Sequence, residues 1–398
     1  MTIAEIKTVC YVGAGTMGCY NSLAAAISGY EVVLTDVDQA TLQQVPERHA
    51  EMAALLVGGG YCVQDDIPAA LARVTLQPDL QLATASADLV SESVFERLDI
   101  KRDTHSQLDQ VCPPHTILTT NSSALLVSDI ETAVGRGDRF AALHSHLGAP
   151  LVDIVGGPRT SPATIDILQR YVLSTGGVPL VLKKEYPGYV LNAMLGPVLG
   201  SGLTLVADSV ATVEEVDRAW MHSLAATMGP FGMMDLFGVN VIYDSWKYRK
   251  EDSFTDKVRP KILGLLQPMI DSGELGMKAG KGFYQYPGPL YQQPGFLEQS
   301  PDIEPVRNAL MVALIGNAVL VAAHDVAEPA DIDGAWKTGT FLDTGPFAIL
   351  AKMGVAEFLN ILASEVAAGR FKANGLSARH NTCVLTGTDW RGNKHHVC

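Results

Sequence analysis

Lys7-Thr-Val-Cys-Tyr-Val-Gly13-Ala-Gly15-Thr16-Met17-Gly18 runs from an apolar segment into a glycine-spaced turn, and these residue types suit the binding of a phosphate group. Gly13 permits a tight turn, Gly15 lets the backbone approach a pyrophosphate, and Gly18 lets the following helix sit close on a sheet. The N–H groups at the helix start, at Thr16 and Met17, would face the anion. A second apolar segment, Glu31-Val-Val-Leu-Thr35, ends in Asp36, at the distance from the glycines where a carboxylate accepts hydrogen bonds from an adenosine ribose. That carboxylate would repel a 2′-phosphate, and no arginine follows before Arg48, so the spacing selects NAD over NADP. The competing account, glycines kept only for packing, leaves the acidic strand end unexplained.

These residues need elements to hold them. The first half of the chain alternates short apolar segments with helical stretches: after Glu31–Thr35 come Val74–Leu76, Asp88–Val90, Thr116–Thr119, Phe140–Leu143, Leu151–Val155 and Pro179–Leu182. Such alternation predicts a largely parallel sheet covered on both faces. After about Glu185 the pattern becomes helical, with Leu191, Met194, Leu195, Val198, Leu199, Leu205 and Val206 near helical spacing and Pro197 expected to kink or interrupt the run. A Pro- and Gln-rich stretch, 287–305, then precedes another helical region.

That second half contains a repeat in constant register. Asp217/Asp333, Trp220/Trp336, Gly229/Gly345, Gly238/Gly354 and Asn192/Asn308 all differ by 116 positions, so one helical domain is expected twice. The expected architecture is an α/β Rossmann-type domain over 1–184, then two all-α domains over 185–290 and 300–398. Two such units can pack about a pseudo-twofold axis, as a monomer that replaces a dimer interface; a homodimer is the alternative.

Composition excludes several classes. A chain of 398 residues with 47% hydrophobic content has material for two or three domains, and its apolar runs read as too interrupted to span a bilayer. A formal charge of −14 argues against a surface that tracks nucleic acid. Residues 1–7 lack the apolar core of a secretory signal, and Cys10, Cys19, Cys62, Cys112, Cys383 and Cys398 lack metal-ligand spacing. A cytoplasmic protein with reduced thiols and no metal is expected. Lys394-His395-His396 reads as a solvated end.

Motifs in order then carry a resemblance: Gly13-x-Gly15-x-x-Gly18, Glu92-x-x-x-Glu96-x-x-x-x-Lys101, Asn121-Ser-Ser123, Arg139-Phe-x-x-Leu-His144, Pro187-Gly-Tyr-Val-x-Asn192, Met228-Gly-Pro-Phe231 and Gly280-x-Gly-Phe-Tyr284. Over 6–286 the chain resembles the L-3-hydroxyacyl-CoA dehydrogenases, and its repeat resembles the second C-terminal domain of longer members. The resemblance implies hydride transfer between C3 of a 3-hydroxyacyl thioester and NAD, with His144 as the base that takes the hydroxyl proton. Histidine titrates near enough to neutral pH to work in both directions. Asp153 stands where the family has a glutamate that steadies the imidazole. Ser123 and Asn192 are implied as hydrogen-bond donors to the substrate oxygen, and Glu96, Lys101 and Asn121 as contacts to the cofactor. On the residues alone, Ser123 would cap a helix over 124–129, Asn192 would tie two helices together, and Glu96 and Lys101 would be a surface pair.

The chain departs from the family after His144. It reads His144-Ser-His146-Leu-Gly-Ala-Pro150 and reaches Asp153 three residues sooner than the family reaches its glutamate. Strand alternation puts His144 and His146 on one side, so either could serve as the base. A CoA tail normally meets basic groups, yet the arm from Asp38 to Arg73 has no lysine. An acyl-CoA ranks first as substrate; a small free 3-hydroxy acid, as in gulonate or carnitine dehydrogenases, is the alternative. A binding protein that keeps NAD(H) without turnover is the reading from another class.

Overall fold

The computed structural model describes residues 6–249, 255–299 and 303–371. Cys383, Cys398, the histidine pair at 395–396 and the rest of 372–398 lie outside the described residues. Two compact units emerge. The first comprises the described residues up to Val190 with Asp325–Phe341, and the second Leu191–His324 with the described residues from Leu342 on.

The first unit is built on an eight-stranded sheet: β1 (Thr8–Val12), β2 (Glu31–Thr35), β3 (Val74–Leu76), β4 (Leu89–Glu92), β5 (Ile117–Thr120), β6 (Phe140–Ser145), β7 (Leu151–Gly156) and β8 (Val178–Leu182), in the order β3-β2-β1-β4-β5-β6-β7-β8. Every neighbouring pair is parallel except β6–β7, which is antiparallel. The expected strands all form. β4 and β5 are wholly buried, which is why they read as apolar runs rather than alternations. The connection reverses direction between β1 and β4, and ligands of such sheets bind in the crevice outside the carboxyl ends of the strands at that point. The short β6–β7 connection brings the start of β7 to the same edge.

The glycine turn follows from close approach. Gly13 has φ +100°, and a Cβ there would meet the Ser93 carbonyl oxygen at 2.7 Å; a Cβ on Gly18 would meet the Gly13 oxygen at 1.8 Å. The turn is thus wedged against the end of β4, and the helix Thr16–Ile27 sits against the turn. Leu23, Leu34, Leu89 and Ile154 are fully buried in the core between helices and sheet. Each such side chain stabilises the fold by about 1.5–3 kcal/mol through removal from water.

In the second unit, Leu191–Ala207 packs on Glu304–Ala323, and Val213–Leu224 packs on the latter and on Pro230–Phe237. Pro197 lies inside Leu191–Ala207, which runs on past it; of the two expected outcomes, a kink or an interruption, the interruption does not occur. Flanking helices supply enough packing to outweigh one lost backbone hydrogen bond. Glu304–Ala323 is long and apolar enough to cross a membrane by length and composition, which the sequence reading had not anticipated; 67% of its apolar window is buried inside the protein. Pro346–Met353 and Val355–Ala367 complete its surroundings. Pro329–Thr340 belongs instead to the first unit, against β7 and β8. Cys10, Cys19, Cys62 and Cys112 are free thiols.

Candidate active site

β6 delivers His144 at its carboxyl end, and the antiparallel register sets it directly opposite Asp153 on β7. His144 Nδ1 lies 2.9 Å from Asp153 Oδ2. His146, one residue past the strand, turns back so that its Nε2 is also 2.9 Å from that same oxygen, with the two imidazoles edge to face, 4.5 Å between centroids. The alternation expected to put both histidines on one side therefore holds beyond the strand end. Asp153 is 0% exposed and its other oxygen, Oδ1, has no hydrogen-bond partner among the described residues.

The electrostatics follow from this burial. Desolvation raises the Asp153 carboxyl, but hydrogen bonds from both histidines outweigh it and hold the group below the usual carboxylate range. Burial pushes the His144 imidazolium down, joined by the His146 charge and opposed by the bond to Asp153, with a net depression. A neutral His144 that donates Nδ1–H to a carboxylate leaves Nε2 as an acceptor, the tautomer a base requires. Tyr189, at φ +52°, holds its ring tilted by 51° with its centroid 5.3 Å from that of His144, and its buried hydroxyl has no partner among the described residues.

Next along the same sheet edge stands a network that sequence reasoning only half saw. Glu92, at the end of β4, is 0% exposed and takes Lys101 Nζ at 2.7 Å, His105 Nε2 at 3.1 Å and the Thr120 hydroxyl at 2.7 Å. Burial raises Glu92, yet His105 and Lys101 bring it down to about 2. Lys101 is 1% exposed, so the surface-pair account is wrong for it: the residue lies on Leu98–Val111 with its charge turned into the protein. Glu96 precedes that helix. Its Oε1 accepts from the Ser122 hydroxyl and from the backbone N–H groups of Ser123 and Ala124, and its Oε2 lies 3.4 Å from Lys101 Nζ. Glu92 and His105 were not assigned roles in sequence. The available signals were a carboxylate closing an apolar strand and the i,i+4 spacing of Lys101 and His105 on one helix face.

Glu96 thereby shapes the turn that presents Ser123. Ser123 does not cap a helix: the next one is Val127–Glu131, and it is Ser122 whose hydroxyl accepts from Leu125 N–H. Asn121 accepts from Ser145 N–H at 2.9 Å, linking the ends of β5 and β6. Asn192 lies in the first turn of Leu191–Ala207, in the second unit.

At the nucleotide turn, Asp36 Oδ2 accepts from Ala14 N–H at 2.7 Å and Oδ1 from Asp38 N–H, while Arg48 reaches the Ala14 carbonyl at 2.6 Å. The residues fit a dinucleotide. A Cβ on Gly15 would meet nothing within 4 Å, so the space beside it is open, and Thr16–Ile27 begins with no side-chain cap and no acidic residue in its first turn. The N–H groups of that turn are available to an anion.

Comparisons with known proteins point to one family. The model of the 3-hydroxyacyl-CoA dehydrogenase NAD-binding domain matches residues 8–186, and that of the 3-hydroxyacyl-CoA dehydrogenase C-terminal domain matches 188–286. A probable 3-hydroxybutyryl-CoA dehydrogenase of Deinococcus radiodurans is 32% identical over 69% of this chain and 98% of its own length. Among solved structures, a diketoreductase described as acting on dicarbonyl compounds is 32% identical, with a TM-score of 0.65 over 71% of this chain and all of its own. The 3-hydroxybutyryl-CoA dehydrogenase of Escherichia coli K12 shares the fold, with a TM-score of 0.75 over 96% of this chain and 99% of its own at 21% identity.

Proposed function

The chain belongs to the 3-hydroxyacyl-CoA dehydrogenase family, and we propose that it oxidises an L-3-hydroxyacyl-CoA to the 3-oxoacyl-CoA, or runs the reverse reduction, with His144 as the base. The observation that carries this reading is the 2.9 Å contact of His144 Nδ1 with buried Asp153 at the carboxyl edge of the sheet. NAD, when bound, supplies the acceptor for the hydride leaving C3. His144 Nε2 takes the hydroxyl proton, and Asp153 stabilises the imidazolium that results. Ser123, positioned by Glu96, donates to the substrate oxygen, and the resemblance gives Asn192 the same role. Gly15 and the first turn of Thr16–Ile27, including Met17, hold the pyrophosphate, and Asp36 the adenosine ribose. Lys101, Glu96 and Asn121 line the nicotinamide side, with Lys101 acting through Glu92 and Glu96 rather than as an open cation.

A second substrate class has its own support. Both arginines of the arm 38–73 are engaged with backbone carbonyls, Arg48 with Ala14 and Arg73 with Ala69, and the arm has no lysine to offer the phosphates of CoA. A small free 3-hydroxy acid or dicarbonyl compound needs no such grip, and the similarity to the diketoreductase points the same way. NADH absorbance, followed with a panel of 3-hydroxyacyl-CoA thioesters and free 3-hydroxy acids, separates the two. Turnover of thioesters supports the first reading and turnover of free acids alone the second; silence despite NADH binding returns the non-catalytic alternative.

We also read the helical region as a duplication. Val213–Leu224, Pro230–Phe237 and Val239–Lys247 have counterparts in Pro329–Thr340, Pro346–Met353 and Val355–Ala367 that each begin 116 positions later. Their left-handed caps, Ala225 and Phe341, keep the same register. With Leu191–Ala207 packed on Glu304–Ala323, the two copies support a monomer in place of a dimer; a solution mass of two chains would contradict it. A cytoplasmic location fits the free thiols.

A further inference from the structure

His146 is the residue that sets this site apart, and its position does more than duplicate His144. Two imidazole nitrogens and one carboxylate oxygen, from His144, His146 and Asp153, lie within 4.8 Å of one another. We propose that this trio is a zinc site, and that occupancy by Zn²⁺ switches the enzyme off.

The donor set suits the ion. Two neutral imidazoles and one carboxylate are common ligands of tetrahedral zinc, with a fourth position left for water. Bonds of roughly 2.0–2.1 Å place neighbouring ligand atoms about 3.3 Å apart, so the two 2.9 Å spacings must open by a few tenths of an ångström, while the two histidine nitrogens, within 4.8 Å of each other, must draw together as His146 turns toward the ion. His144 and Asp153 are fixed by the β6–β7 register, and His146, at 10% side-chain exposure, is the ligand nearest solvent. The other oxygen of the same carboxylate, Asp153 Oδ1, adds to this. It is fully buried and has no partner among the described residues, so the carboxylate retains an acceptor that a cation would use.

The chemistry of inhibition is one of tautomers. Zinc takes the lone pair that Nδ1 of His144 presents once its proton leaves to solvent and a solvent proton is taken up at Nε2; His146 exchanges its proton from Nε2 to Nδ1 in the same way, so each ring stays neutral. The one proton of His144 then sits on Nε2, the atom that has to accept the substrate's proton. No bond to substrate or cofactor changes and no electron moves. Metal binding and proton abstraction exclude each other at one ring. This inhibitory half rests on the reading of His144 as the base; the binding half does not.

The test uses the full chain, stripped with a chelator and then titrated with Zn²⁺ or Co²⁺. The expected results are one bound metal per chain, a four-coordinate Co²⁺ visible spectrum, reversible loss of turnover with NADH binding retained, and at least about a tenfold weaker metal affinity in His146→Gln. The Co²⁺ spectrum of the unmutated protein keeps the test valid if the variant misfolds. No stoichiometric metal with turnover intact, or equal affinity in a folded His146→Gln, would overturn the site while leaving His144 as the base. Stoichiometric metal without loss of turnover would overturn the inhibition and the assignment of His144 together.

Discussion

His146 shares with His144 a single oxygen of Asp153, each nitrogen 2.9 Å from Oδ2. The acid that steadies the base therefore has a second claimant. One oxygen accepts both hydrogen bonds, and the two rings carry like charge whenever both are protonated.

Replacement of His144 by alanine removes the proton acceptor and leaves the glycine turn untouched. Turnover should fall by about 10²–10⁴-fold with the NADH dissociation constant unchanged. Steady-state rates together with fluorescence titration of NADH check both halves. A variant with near-normal turnover would move the role to His146.

Because burial depresses the His144 imidazolium below 6.5, the base is neutral over more of the acid range than an ordinary histidine. The acid limb of oxidation should lie at lower pH than an ordinary histidine would give. His146→Phe removes a neighbouring charge that pushes the ring down and should move the acid limb of kcat/KM upward. The same sign governs stability: what His144 contributes is present above pH 6.5 and is lost as pH falls through its folded value.

Lys101→Met would leave the buried Glu92 charge facing His105, Thr120 and the Val94 N–H with no cation fixed beside it. The loss should be about 3–5 kcal/mol, because an uncompensated charge remains in the interior. Urea denaturation followed by circular dichroism measures it, and a loss under 1 kcal/mol would place the pair outside the structural core.

Asp36→Ser should cost roughly 10-fold in kcat/KM for NAD, the value of one charge-assisted hydrogen bond of about 1.5 kcal/mol. It should also raise activity with NADP, since Arg48 stands beside the turn at Ala14 and the repelling carboxylate is gone. Initial rates with each coenzyme decide this.

Asp217 shows the opposite linkage in the second unit. It accepts from Phe231 N–H, Gly232 N–H and the Tyr284 hydroxyl, but burial, aided by Asp235, raises it from 3.8 to about 7. The stability that its protonated form contributes is whole below pH 3.8 and is lost as pH rises through about 7. Thermal midpoints of wild type and Asp217→Asn, taken between about pH 5 and 8, should show a downward slope that the variant flattens.

The nucleotide half was legible because its signals are local. Gly13, Gly15 and Gly18 state their backbone needs by type, Asp36 follows at a fixed spacing, and the buried strands read as short apolar runs. His144 and Asp153 are paired through the family resemblance, and the antiparallel register of β6 and β7 sets them opposite each other. Pro197 does not break its helix, since helix propensity is a local quantity and the packing on both sides of Leu191–Ala207 is not.

What the chain by itself determined is the nucleotide turn, the order of strands and the presence of a strand-end imidazole with an acid close by. Tertiary structure alone decided that Lys101 faces inward to Glu92, that Glu96 is spent on the Ser123 turn, and that Asp153 serves two histidines through one oxygen. Composition and spacing describe a residue's neighbours along the chain. The direction of a charged side chain depends on what the sheet leaves buried beside it, and a buried charge turns toward whatever partner lowers its desolvation cost.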